Sequence, residues 1–137
     1  MATLSNRSLT NLAGIHPDLV KVIKEAIKDT PIDFTVTDGI RTIEQQQTLY
    51  AKGRTASGKI VTNCDGIKSK SNHQVKSDGF GHAIDLYPYK DGSVQLNDVV
   101  SLKTIASHIK KKASELGVVI TWGGDWKTII DYPHFEV

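Results

Sequence analysis

The residues Ala83-Ile84-Asp85-Leu86-Tyr87 alternate as a half-buried strand does, yet a carboxylate stands at their centre. In such a strand Ile84 and Leu86 point to one face, and Ala83, Asp85 and Tyr87 to the other. An ionised carboxylate in that setting needs a strong partner, because burying it unpaired is very costly. The chain has to fold so that a side-chain cation or a metal ion meets Asp85.

The flanking elements suggest how. Leu19, Val22, Ile23, Ala26 and Ile27 fall on one face of a helix over Pro17 to Lys28, which Thr30-Pro31 stops. Phe34 and Val36 alternate with Thr35 and Thr37 in a short strand closed by Asp38-Gly39. Thr42-Ile43-Glu44-Gln45 reads as a capping box opening a helix to Gly53, and Gly53 to Ser71 reads as a long loop. Asp91-Gly92 marks a turn into a short strand at Ser93 to Gln95. From Asp98 to Leu116 an apolar stripe of Val99, Leu102, Ile105, Ala106, Ile109, Ala113 and Leu116 predicts the longest helix, with Gly117 at its C′ position. Val118-Val119-Ile120 reads as a further strand before the turn Trp122-Gly123-Gly124-Asp125-Trp126. This order predicts one α+β domain over 1–137, a small antiparallel sheet with helices packed on it.

Composition removes several functions. A net charge of +2 and a single basic run, Lys110-Lys111-Lys112 on a helix, give no nucleic-acid track. One cysteine, Cys64, excludes an intramolecular disulfide framework and a Cys-rich zinc site. No apolar run reaches membrane-spanning length, so no membrane insertion is expected. The segment from Met1 to Arg7 has no signal-peptide apolar region, so synthesis in a cytoplasm is expected, with release by another agent if the protein acts outside.

Histidines are the natural company for Asp85. His73 lies across a glycine-rich turn and can fold back over the same face. His134 and Glu136 share parity near the C-terminus, with Asp131 three residues ahead of His134. His82 is three residues from Asp85 and faces the opposite side of a regular strand, which makes it a poor ligand. Two histidines and a carboxylate would form a three-ligand zinc site with its fourth position open to water, as in hydrolytic zinc enzymes. With five histidines and fifteen acids, chance groupings are also common, and no HExxH motif is present.

Four motifs sharpen this reading. Ser71-Asn72-His73 with Gly81-His82-Ala83-Ile84-Asp85 resembles the S-x-H…G-x-A-x-D motif of the D-Ala-D-Ala carboxypeptidase and L-alanyl-D-glutamate endopeptidase family. Asp131 to Glu136 resembles its closing [DE]-x-x-H motif, Gly39-Ile40-Arg41-Thr42 its GIRT segment, and Trp122 to Trp126 its W-G-G-D-W turn. All four stand in the family's order, and the likeness is greatest to compact bacteriophage endolysins. The resemblance implies a fold of the hedgehog/D,D-peptidase type, one zinc ion held by His73, Asp85 and His134, and Asp131 as catalytic base. It implies Arg41 as the oxyanion partner and Glu136 as a residue orienting a ligand. It further implies a monomer that cuts peptidoglycan stem peptides between L-Ala and D-Glu, made in the host cytoplasm and acting on periplasmic peptidoglycan after release. A D-Ala-D-Ala carboxypeptidase and a non-catalytic zinc-stabilised cell-wall module are the alternatives.

One departure stands out: seven residues separate His73 from Gly81 where the family usually has two. The insertion Gln74 to Phe80 is expected to bulge as a loop, with His82 the substitute ligand if His73 is displaced. A bridge from Arg41 to Asp38 or Glu44 is the structural alternative for that arginine. His108 is expected in solvent, His16 in a capping or surface role at a helix start and Cys64 as a plain loop thiol. Trp122 and Trp126 are divided between core and cleft.

Overall fold

A computed structural model describes residues 2–137. Four helices pack on a five-stranded antiparallel sheet. The helices are α1 (Asn6–Leu12), α2 (Pro17–Ala26), α3 (Ile43–Ala51) and α4 (Val99–Leu116); the strands are β1 (Phe34–Asp38), β2 (Ala83–Lys90), β3 (Ser93–Val94), β4 (Thr121–Trp122) and β5 (His134–Glu136). The main path is β1-β2-β5-β4, with β3 folded back on the end of β2.

The core forms where the two apolar helix faces meet one face of the sheet. Leu19, Val22 and Ile23 of α2 and Leu102, Ile105 and Ile109 of α4 are buried with Ile84, Leu86 and Phe135. Period 3.6 on the helices and period 2 on β2 thus converge on one cluster. The opposite parity of β2 carries Asp85 onto the other face, and register places it beside both Asp38 of β1 and His134 of β5. Sheet pairing itself therefore joins residues 85 and 134.

Local chemistry fixes the element ends. Thr42 and Gln45 close both halves of the capping box on α3. His16 Nδ1 accepts from the Asp18 N–H as the cap of α2, as expected. Gly117 sits at φ 71° and ends α4. Val118 then donates to the Ala113 carbonyl as part of that closure, so its N–H is withdrawn from any ladder. This corrects the strand expected over Val118-Val119-Ile120: pairing with β5 begins only at Thr121.

Helix α1 is not apparent in the hydrophobic pattern, because Leu12 is its one buried apolar residue and its hold on β1 is polar. Ser8 Oγ accepts from the Val36 N–H at 3.0 Å and Asn11 Nδ2 donates to the Val36 carbonyl at 2.9 Å, which covers the outer edge of β1. Gly39 permits this approach, since a Cβ there would lie 1.8 Å from the Asn11 carbonyl oxygen.

Candidate metal centre and active site

Three lone pairs converge on one point. His73 Nε2 lies 3.4 Å and His134 Nδ1 3.5 Å from Asp85 Oδ1, and the two ring nitrogens are 3.1 Å apart. The far side of each ring fixes its tautomer. His73 Nδ1 is 3.0 Å from the Gly39 carbonyl, which can only accept, so Nδ1 carries the proton and Nε2 is bare. His134 Nε2 donates to Glu136 Oε1 at 2.6 Å, so that Nδ1 is the bare nitrogen whenever the ring is neutral. Among the described residues, Asp85 Oδ1 is the buried side-chain polar atom with no hydrogen-bond partner.

This donor set suits a cation. A tetrahedral ion held at about 2.0–2.1 Å separates its ligand atoms by roughly 3.3–3.4 Å, close to the three distances found. The hydrogen bonds to Gly39 and Glu136 orient the rings as such sites require. Glu136 is anchored in turn, accepting at Oε2 from Asn72 Nδ2 at 2.5 Å. The residues can therefore hold a metal ion.

Charges respond to this packing. Burial works against ionised Asp85, but the imidazoles of His134 and His73 outweigh it and hold the carboxyl far below its ordinary range. Burial likewise opposes a charged His134, yet Asp85 and Glu136 push its pKa up to about 9. Asp131 is pushed upward by burial first and by Asp85 second. Its Oδ2 lies 3.9 Å from His134 Nδ1.

The centre opens into a cleft of about 490 Å³ to which Arg41, Asp131, His134 and Glu136 all contribute. Arg41 pairs with neither Asp38 nor Glu44. Its Nη1 donates to Gln46 Oε1 at 2.7 Å and approaches Ser71 Oγ at 3.4 Å, while its backbone N–H donates to the His73 carbonyl. Gln46 is fully buried, and its amide nitrogen donates to Cys64 O at 2.7 Å and Thr62 Oγ1 at 3.2 Å.

The family model for phage L-alanyl-D-glutamate peptidases matches residues 1–136. The chain belongs to the phage L-alanyl-D-glutamate peptidase family. It is similar to the L-alanyl-D-glutamate peptidase of Escherichia phage T5, 33% identical over 126 residues that span 92% of this chain and 82% of that protein. It is also similar to the peptidoglycan L-alanyl-D-glutamate endopeptidase CwlK of Bacillus subtilis (strain 168), 36% identical over 134 residues, 91% of this chain and 74% of that protein. The crystal structure of the Serratia marcescens L-Ala D-Glu endopeptidase ChiX superposes with a TM-score of 0.77 at 30% identity, covering 98% of this chain and 89% of that one. The vancomycin-resistance D,D-dipeptidase VanXYg shares the fold at 18% identity, with a TM-score of 0.55 over 89% of this chain and 49% of its own.

Within this L-alanyl-D-glutamate peptidase fold, the five residues singled out by sequence are brought together: His73, Asp85 and His134 at the centre, Asp131 and Arg41 in the same cleft. His82 turns away. Its Nε2 is 2.7 Å from Asp78 Oδ2 and its Nδ1 3.2 Å from the Val137 carbonyl. The insertion does bulge, but its first residue does not: Gln74 is buried, accepting from the Ser71 N–H and donating to the Gly66 carbonyl. Trp126 lines the cleft with its ring 4.9 Å from that of His134, whereas Trp122 packs in the core. His108 departs from its expected place in solvent. It is largely covered, its Nε2 contacting the Ala26 carbonyl at 2.9 Å and Asp29 at 3.2 Å, because α4 packs on the end of α2.

Sequence reasoning missed Gln46, Asn72 and the Gly39 carbonyl. A glutamine at an inward position of α3 was the one available signal, since the other two act through contacts made only on folding.

Proposed function

We propose that this protein is a zinc-dependent endopeptidase that hydrolyses the L-Ala–D-Glu bond of peptidoglycan stem peptides. The observation that carries this is the convergence of His73 Nε2, Asp85 Oδ1 and His134 Nδ1 beside the cleft that Asp131 and Arg41 line. A nitrogen-nitrogen-oxygen set with room for a fourth ligand is the arrangement of catalytic zinc. Zinc in that place supplies Lewis acidity, polarising a carbonyl and lowering the pKa of water towards ~7.

The chain's own residues do the rest. Asp131, with its carboxyl raised by burial, accepts the proton of the attacking water and delivers it to the leaving amine. The Arg41 guanidinium, held by Gln46, faces the carbonyl oxygen as negative charge develops on it. Glu136 keeps His134 in the tautomer that presents Nδ1. The enzyme acts as a monomer with one zinc ion, made in the host cytoplasm and reaching peptidoglycan after release. No helix among the described residues is long and apolar enough to cross a membrane.

Purified peptidoglycan digested by the metal-loaded enzyme should yield new N-terminal D-Glu and C-terminal L-Ala, identified by mass spectrometry. Release of D-Ala alone would instead make it a carboxypeptidase, and no new termini would leave a binding module. Asp131→Asn should lower kcat by about 10²–10⁴ with metal content intact. If Glu136→Gln gives that loss and Asp131→Asn does not, the two roles are exchanged.

A further inference from the structure

Part of the cleft is lined by the segment from Lys52 to Lys76, which has six cations against the single acid Asp65; the segment holds +5, and the rest of the chain −3 of the +2 total, and of its six cations Lys70 is the one that lines the cleft. Asp65 neutralises no lysine by pairing, because its Oδ1 accepts from the backbone N–H groups of Ile67, Lys68 and Ser69. Arg54 is occupied by local contacts: it donates to the Tyr50 and Thr62 carbonyls and lies 3.8 Å from the Tyr50 ring centre. Lys28, Lys90, Lys110 and Lys112 elsewhere are ion-paired, but the five lysines of this segment form no ion pair among the described residues. Asp131 and Glu136 line the same cleft.

Apart from the histidines, the cations lining the cleft are Arg41 and Lys70. Arg41 is held by Gln46 and Ser71. Lys70 is exposed, three residues before His73, and its ammonium makes no ion pair among the described residues.

We propose that Lys70 binds the free carboxylate of the leaving D-glutamate residue and thereby sets the direction in which the stem peptide lies. This rests on the reading of the chain as an L-alanyl-D-glutamate peptidase. Glutamate has two carboxyl groups and at most one continues a chain, so an anion stays within a few bonds of the leaving amine. That anion is repelled by Asp131 and Glu136 and attracted to Lys70. The leaving half of the substrate therefore lies along Lys70, and the uncharged L-alanyl half lies against Trp126 and Ile129. Amidation of that carboxyl removes the attraction, so the same pocket discriminates between amidated and free-acid peptidoglycan.

The test compares wild type, Lys70→Gln and Lys70→Arg on two synthetic stem peptides that differ only in a free D-Glu carboxyl or its primary amide. Wild type should favour the free acid by about tenfold in kcat/KM, chiefly through KM, as a charge-assisted contact in a cleft provides. Lys70→Gln should bring that ratio to about one, and Lys70→Arg should keep it. Raising ionic strength from about 0.15 M to about 1 M should narrow the wild-type ratio. Equal cutting of both peptides by wild type, or an undiminished preference in Lys70→Gln, overturns the anchor and leaves the peptidase reading standing. A wild-type enzyme that cuts neither peptide removes that reading, and the anchor with it.

Discussion

With two imidazole lone pairs for neighbours, Asp85 needs a positive charge between them. In the metal-free protein near neutral pH that charge is a proton on His134, whose pKa stands at about 9 in the folded chain against an ordinary 6.5. A raised folded-state pKa stabilises the fold fully below pH 6.5, and the contribution is lost as pH rises through 9. Melting temperatures of the metal-free protein should therefore decline from pH 6.5 to 9, and those of the metal-loaded protein should not follow. Metal has to displace the same proton, so apparent affinity should rise about tenfold per pH unit up to pH 9 and then level off. Calorimetry in two buffers of different ionisation enthalpy should find about one proton released; no release would mean that His134 is already neutral. The three converging residues were legible because strand parity selects the face of Asp85 and the motifs select its companions. The Gly39 carbonyl was not, since any residue type offers the same backbone oxygen.

At the scale of elements, α3 is tied to the long loop beside it by one buried amide. Gln46 receives Arg41 on its oxygen and gives its nitrogen to Cys64 and Thr62. Gln46→Met keeps the volume and removes all three hydrogen bonds. It should cost about 1–3 kcal/mol in urea unfolding, since buried polar partners lose their bonds. It should also lower kcat more than it raises KM, and that kcat loss should vanish in an Arg41→Ala background if Gln46 acts by aiming Arg41. Additive losses would make Gln46 a scaffold residue alone. Amphipathic α2 and α4 were legible because their apolar faces repeat at helical spacing. Helix α1 was not, because Ser8 and Asn11 earn its place with hydrogen bonds to β1 that leave no periodic trace. The misplaced strand at Val118 to Ile120 has a related cause: the β-branched run is real, but the closure of α4 takes the first N–H.

Across the whole molecule, the fold class follows from which elements carry apolar faces, whereas the pairing order β1-β2-β5-β4 depends on contacts between distant segments. The three residues proposed as metal ligands come from the loop before β2, from β2 and from β5, so a metal ion held there would tie together segments far apart in sequence. At free metal about one hundred times Kd, binding adds about 2.7 kcal/mol. Chelation should then lower Tm by about 10 °C for a domain of this size, as differential scanning would show. An unchanged Tm would mean that the three ligands do not share an ion. The register Asp85↔His134 also has a kinetic meaning. Residues 73 and 134 cannot meet until β5 has docked on β2, across the whole length of α4, so the complete three-ligand site is expected to form only after the barrier. Refolding followed by stopped flow should proceed at the same rate with or without metal, and only unfolding should slow when metal is present.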